Sequence, residues 1–161
     1  MATEIQHRFF ETLYEQENAR GESLIDRGKI YLSIVSIFFG GFLFKLDWIV
    51  EHRTLMEPGF WFYVLGAGCF LGSMILLCSA LQVLTYEALA DPGELIQELD
   101  GDQAIDAIFW AARIAEYTHA YSRNSLQNDK GAIYLRGSLA FIVIGVVLLC
   151  VGVGIVLASA K

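Results

Sequence analysis

The chain is poor in the side chains that do chemistry. Its three histidines, His7, His52 and His119, are dispersed. His119 has Glu116 and Arg123 at helical spacing, which is ordinary polarity on a helix surface. No Ser–His–acid or Cys–His arrangement has catalytic spacing, and no glycine cluster carries the Gly-Lys-Ser/Thr of a phosphate loop. Cys69, Cys78 and Cys150 all lie inside apolar blocks, where they act as small packing residues, without metal spacing. An enzyme is therefore not expected, and neither a metal nor a cofactor is expected. A net charge of −7 disfavours bulk nucleic-acid binding.

Charge is also missing from long stretches. Of the 161 residues, 55% are hydrophobic, above the roughly 45–50% of an ordinary soluble domain. The excess collects in three blocks: 30–50, 59–86 and 137–160. A helix needs about 20 apolar residues to cross the hydrocarbon core. The second and third blocks meet that without a single charge. The first has fifteen uncharged residues, Ile30–Phe44, before Lys45 and Asp47. It reads as a span because Lys45 can snorkel and Trp48 suits the far interface, with Lys45 and Asp47 as an interfacial ion pair. No cleaved signal peptide is expected, since the first apolar run follows an acidic, polar segment.

The fold class that follows is an all-α membrane protein with three transmembrane helices. Two of them continue from long amphipathic cytosolic helices. The segments are a cytosolic helix 1–29, spans 30–50, 59–86 and 137–160, an external loop 51–58, and a cytosolic helical segment 87–136. Before the first span and between the last two lie Arg8, Arg20, Arg27, Lys29, Arg113, Arg123, Lys130 and Arg136. Opposite them are only Lys45, Arg53 and Lys161. The bias of basic residues toward the cytoplasm places the N-terminus inside and the C-terminus outside.

In the polar segments, Thr3 is a candidate helix cap and Gly21 a weak point. Ile5, Phe9, Leu13 and Leu24 fall near one face. Pro92–Gly93 breaks the second segment, and Asp102 can cap a helix carrying Ile105, Ile108, Phe109, Ala112 and Ala115 on one face. Such apolar faces need partners, and a homo-oligomer is the economical source.

"DRGKIYL" at 26–32 returns as "DKGAIYL" at 129–135. With that offset Arg20 also matches Arg123 and Phe38 matches Phe141. Both stretches precede a span that runs outward, so both stand at the inner interface. Two readings stay open: convergence on what any helix needs when entering a bilayer, or a parallel duplication of helix plus span. The basic residues near this level, with Tyr31, Tyr117, Tyr121 and Tyr134, form a ring suited either to lipid contact or to a small anion. Arg20, Arg27, Arg123 and Lys130 are the candidate ligand-binding residues. Ser33, Ser36 and Gln82 are candidates to line a narrow wet path. Gly68 and Gly72, as a GxxxG pair, and Gly154 are candidates for close helix packing within or between chains.

The stretches "SLIDRGKIYLSIVSIFFGGFLF" and "YTHAYSRNSLQNDKGAIYLRGSLAFIVIGVV" are similar in pattern to the small transmembrane effectors of bacterial antiphage signalling. The family resembled is the Pycsar-type effectors with their SLATT-domain relatives. The resemblance implies a homo-oligomer in the bacterial inner membrane, multi-pass, that opens or disrupts the bilayer on a cyclic-nucleotide or oligonucleotide signal. A cytosolic protein partner is the other trigger left open. The alternative function is a non-enzymatic structural subunit that anchors a cytosolic partner through 3–28 and 102–130.

Overall fold

A computed structural model describes residues 4–51, 58–84 and 105–159. It consists of three helices: α1 (Glu4–Glu51), α2 (Pro58–Val83) and α3 (Ile105–Ser159). All three are long and apolar enough to cross a membrane. In the most apolar 18-residue window of each, only 11%, 33% and 22% is buried in the protein. The outward surface is accordingly apolar, with Ile37, Phe44, Ile75 and Val147 all exposed. A water-soluble bundle would place polar residues there, whereas lipid accepts this pattern.

α1 is one unbroken helix of 48 residues, about 70 Å at 1.5 Å per residue. It passes straight through Gly21, the expected weak point, which is buried. α3, of 55 residues, is likewise continuous from its polar into its apolar half. The break at Pro92–Gly93, the caps at Thr3 and Asp102, the loop after α1 and the side chains of Lys45, Asp47 and Trp48 lie outside the described residues.

α2 runs antiparallel to its neighbours and packs mainly on α3, with α1 lying against the pair. The α2–α3 seam is built from small residues seven apart. On α2 these are Gly59, Gly66, Ser73 and Ala80; on α3 they are Gly152, Gly145, Ser138 and Gly131. A Cβ on Gly66 would stand 3.3 Å from the Gly145 carbonyl oxygen, and one on Gly145 would stand 3.3 Å from that of Gly66. A Cβ on Gly152 would lie 3.2 Å from the carbonyl of Gly59. At the centre the fully buried Ser73 and Ser138 hydroxyls share a hydrogen bond of 2.7 Å. A seven-residue repeat keeps such a seam in register only with a slight left-handed supercoil. Phe70, Leu77, Val35, Leu135 and Ile142 fill the space beside it, and the Phe38 ring of α1 stacks on Phe70 at 5.5 Å.

The serine pair makes a graded prediction. Replacing both serines by alanine should cost about 0.6 kcal/mol, a typical buried interhelical hydrogen bond in a membrane protein. Ser73→Val alone should cost about 1–3 kcal/mol, because its extra methyl groups have no room. Unfolding in mixed micelles of increasing SDS fraction measures both, and a costlier double alanine variant refutes the packing account.

Candidate membrane-interface anion cleft

α1 and α3 run parallel, and positions 103 apart face each other. The Tyr14 and Tyr117 rings meet edge to face at 5.6 Å, and the His7 and Trp110 rings at 4.8 Å. The offset is the one that superposes the two "Asp-basic-Gly" stretches. Both glycines of those stretches turn toward the same end of α2. A Cβ on Gly28 would lie 3.4 Å from Leu81, and one on Gly131 only 2.8 Å from Leu84. Their role is close approach to α2, and the two stretches lie at one level of the bundle.

The shared face of the polar halves is not the apolar one that periodicity suggests. Ile5, Phe9 and Ile108 are exposed, as are Ala112 and Ala115. The buried positions are Gly21 and Leu24 on α1, and Arg113, Tyr117, Ala120, Asn124 and Asn128 on α3. Hydrogen bonds let polar groups occupy that face. The Asn128 amide donates to the Glu17 carbonyl at 2.8 Å and to the Glu17 carboxylate at 2.7 Å. Asn124 donates to the Asn18 side-chain oxygen at 3.2 Å. Arg113 is held by Glu116 at 2.8 Å and lies 6.0 Å from the Tyr117 ring centroid. Burial, with the Glu11 carboxylate adding to it, pushes the Tyr117 hydroxyl above its usual pKa.

The basic residues at the threshold divide into engaged and unengaged. Arg20 donates to Asp129 at 2.7 Å and contacts Glu17 at 3.3 Å. Its guanidinium is held above the ordinary arginine range, chiefly by the hydrogen bond to Asp129. Lys29 pairs with Asp26 at 3.0 Å along α1. By contrast, Arg27 and Arg136 have no ion pair or hydrogen bond among the described residues.

Those two meet in a cleft of about 310 Å³ whose walls come from α1 and α3 alone. On α1, Arg20, Ser23, Leu24, Arg27 and Tyr31 lie three, four or seven residues apart on one face. Ala132, Leu135, Arg136 and Leu139 of α3 line the other wall. No carboxylate is among the lining residues, and Asp129 at the rim is taken by Arg20. Three guanidiniums, a hydroxyl and a phenol around a small hollow can hold an anion with planar, forked hydrogen bonds.

Of the candidate ligand-binding residues, Arg20 and Arg27 line this cleft, whereas Arg123 and Lys130 do not. Arg136 takes their place. The signal for it in the sequence was its place in the basic cluster just before the last apolar run. Ser33 and Ser36 are exposed on α1 and Gln82 on α2, with the Ser33 hydroxyl donating to the Lys29 carbonyl at 3.0 Å. A Cβ on Gly72 would lie 3.3 Å from the Phe141 ring. Gly68 and Gly154 face outward with no atom among the described residues within 4 Å of a Cβ position. The tight intrachain glycines, Gly66, Gly145 and Gly152, escape a search for GxxxG because their spacing is seven. Comparison with protein families, characterised proteins and solved structures finds no match for the chain.

Proposed function

We propose that this chain is a homo-oligomeric effector of the bacterial inner membrane, with a cytoplasmic N-terminus, that permeabilises the bilayer when triggered. The trigger is a nucleotide signal or a cytosolic partner, as the likeness to antiphage effectors implies. The observation that carries the reading is the cleft's position. Arg27 and Arg136, without a partner among the described residues, lie where the polar halves of α1 and α3 become apolar, on helices that run without interruption into the spans. An anion drawn into that cleft changes the charge balance between α1 and α3 at the head of both spans. Continuous helices then carry the change across the bilayer. Self-association has surfaces to use in the exposed Ile5, Phe9 and Ile108 and in the outward Gly68 and Gly154. Ser33, Ser36 and Gln82, also outward, are then placed to wet a path between subunits.

Induced expression in bacteria should depolarise the inner membrane, read by a potential-sensitive dye. Ser36→Phe should slow depolarisation several-fold while the protein still inserts. Depolarisation that is absent with protein in the membrane overturns the reading. The alternative, a structural subunit that anchors a cytosolic partner, is favoured by the same exposed Ile5, Phe9 and Ile108. It predicts no conductance and a partner that co-purifies.

A further inference from the structure

We infer that the Arg20–Arg27–Arg136 cleft binds a phosphate group, delivered as the ester of an amphiphile or as a free anion at the membrane surface. The first ground is unbalanced charge. Arg27 and Arg136 share a hollow without a carboxylate among its lining residues, and neither has a partner among the described residues. Both side chains are exposed and water screens them, but two like charges lining one hollow still repel, and an anion bound between them turns that repulsion into attraction. The second ground is geometry. Guanidinium forks match phosphate oxygens in pairs, and Ser23 and Tyr31 add hydroxyl donors. The hollow, at about 310 Å³, lies at the small end of ligand pockets.

The third ground is the cleft's polarity along the helices. Along α1, Arg20 and Ser23 stand toward the polar half and Tyr31 toward the apolar half, with Arg27 between them; on α3, Leu139 lies about one turn past Arg136 toward the apolar half. A phosphate on the arginines would leave an attached hydrocarbon chain lying along Leu139 and the span. This gradient suits an anionic phospholipid, and the same arginines accept a soluble phosphate. Lys130 is a built-in contrast. It is basic, exposed and within six residues of Arg136, but it is outside the cleft. A diffuse basic collar uses Lys130 as readily as Arg27, whereas a built site does not.

The inference rests on the reading of this cleft as the sensing element, but its test reads binding and leakage separately. The full chain, purified in a neutral detergent, is titrated by native mass spectrometry with short-chain phosphatidic acid, phosphatidylglycerol and phosphatidylcholine. Parallel titrations use inorganic phosphate and a nucleoside monophosphate. The expected result is preference for an anionic phosphate ligand over phosphatidylcholine. The double variant R27Q/R136Q should weaken it at least about tenfold, as loss of two charge-assisted pairs predicts, and K130Q less than about twofold. R27K/R136K, which keeps charge but loses the forks, should fall between and also control for folding. Binding only of the lipids identifies a headgroup site; binding of the soluble phosphates identifies a free-anion site. Equal loss in K130Q, or no preference over phosphatidylcholine, overturns the inference. Vesicle leakage on the same samples is scored independently. A chain that binds phosphate but never leaks sinks the effector reading and leaves the cleft intact.

Discussion

Gly145→Leu should unfold the α2–α3 hairpin. A Cβ at that position meets the Phe70 ring at 3.2 Å, the Cys69 Cβ at 3.3 Å and the Gly66 carbonyl oxygen at 3.3 Å. The Phe70 ring can turn, but a Cβ and a backbone carbonyl cannot move without moving α2. A leucine adds three further carbons at this point, so the helices must separate along the seam. Ordinary overpacking costs about 1–3 kcal/mol, and a clash against backbone in a seam held at four levels should exceed the top of that range. Gly68→Leu is the matched control. It makes the same substitution on α2, at a position with no described neighbour within 4 Å. Within one chain it should be neutral, while weakening any oligomer that packs there. Resistance to SDS unfolding, measured at high dilution, separates the two effects. Equal destabilisation by both variants refutes the seam.

Asn128→Asp should release α1 from α3 at neutral pH while leaving α2 docked. The asparagine is fully buried, and its amide serves both the carbonyl and the carboxylate of Glu17. An aspartate there turns two hydrogen bonds into acceptor facing acceptor and places two carboxylates about 3 Å apart in a buried site. A buried charge without its partner costs about 3–5 kcal/mol. Arg20, which contacts Glu17 and Asp129, offsets only part of this. The defect should depend on pH in a definite direction. Burial and like charge both raise the introduced carboxyl's pKa in the folded state above its unfolded value of about 3.9. Between those two values the docked state binds more protons, so stability is lost as pH rises through the raised value and returns on acidification. Trp110 reports docking through its contact with His7. With Trp48 and Trp61 replaced by phenylalanine, its emission should shift to the red in Asn128→Asp at pH 8 and recover toward pH 5. Asn128→Ser, which removes the amide without adding a carboxyl, is the control. It should be milder, with no recovery on acidification; a matching response in the two variants counts against the Glu17 contact.

How much of this was legible depends on which force wrote the signal. Helices fit to cross a membrane are written by hydropathy: the runs after Gly59 and Gly137 are long enough to read directly, whereas the fifteen residues from Ile30 needed the flanking Lys45 and Trp48. The joining of polar and apolar halves into single helices was legible at "DRGKIYL" and "DKGAIYL", where nothing interrupts the helix. Buried faces were not. Helical periodicity finds the apolar stripe, but Ile5, Phe9, Ile108, Ala112 and Ala115 of it are exposed, Leu13 and Phe109 are half-buried, and Leu24 is buried. The interior is chosen instead by hydrogen bonding through Asn124 and Asn128 and by small residues every seventh position. In the apolar halves, lipid removes the contrast between inside and outside that makes periodicity informative in water; in the polar halves, paired side-chain hydrogen bonds let polar residues take the inner face. The cleft was half legible. Basic residues near the interface pointed to Arg20 and Arg27. Only the rotation of α3 about its own axis, fixed by Gly131 against Leu84, selects Arg136 over Arg123 and Lys130.

α1 behaves mechanically as a rod. It has no break over 48 residues, it lies against a hairpin whose two helices pack more extensively on each other than on it, and Gly40 and Gly41 have no described atom within 4 Å of a Cβ position. A rod about 70 Å long, pivoting near Gly28 by about 5°, swings its far end by roughly 3 Å over the remaining third to half of its length. That is about the width of a dehydrated ion, produced with no bond broken in the hairpin. Small angular changes at the arginines are thereby magnified with distance, so the stiffest element of the fold is also the one able to report motion across the bilayer.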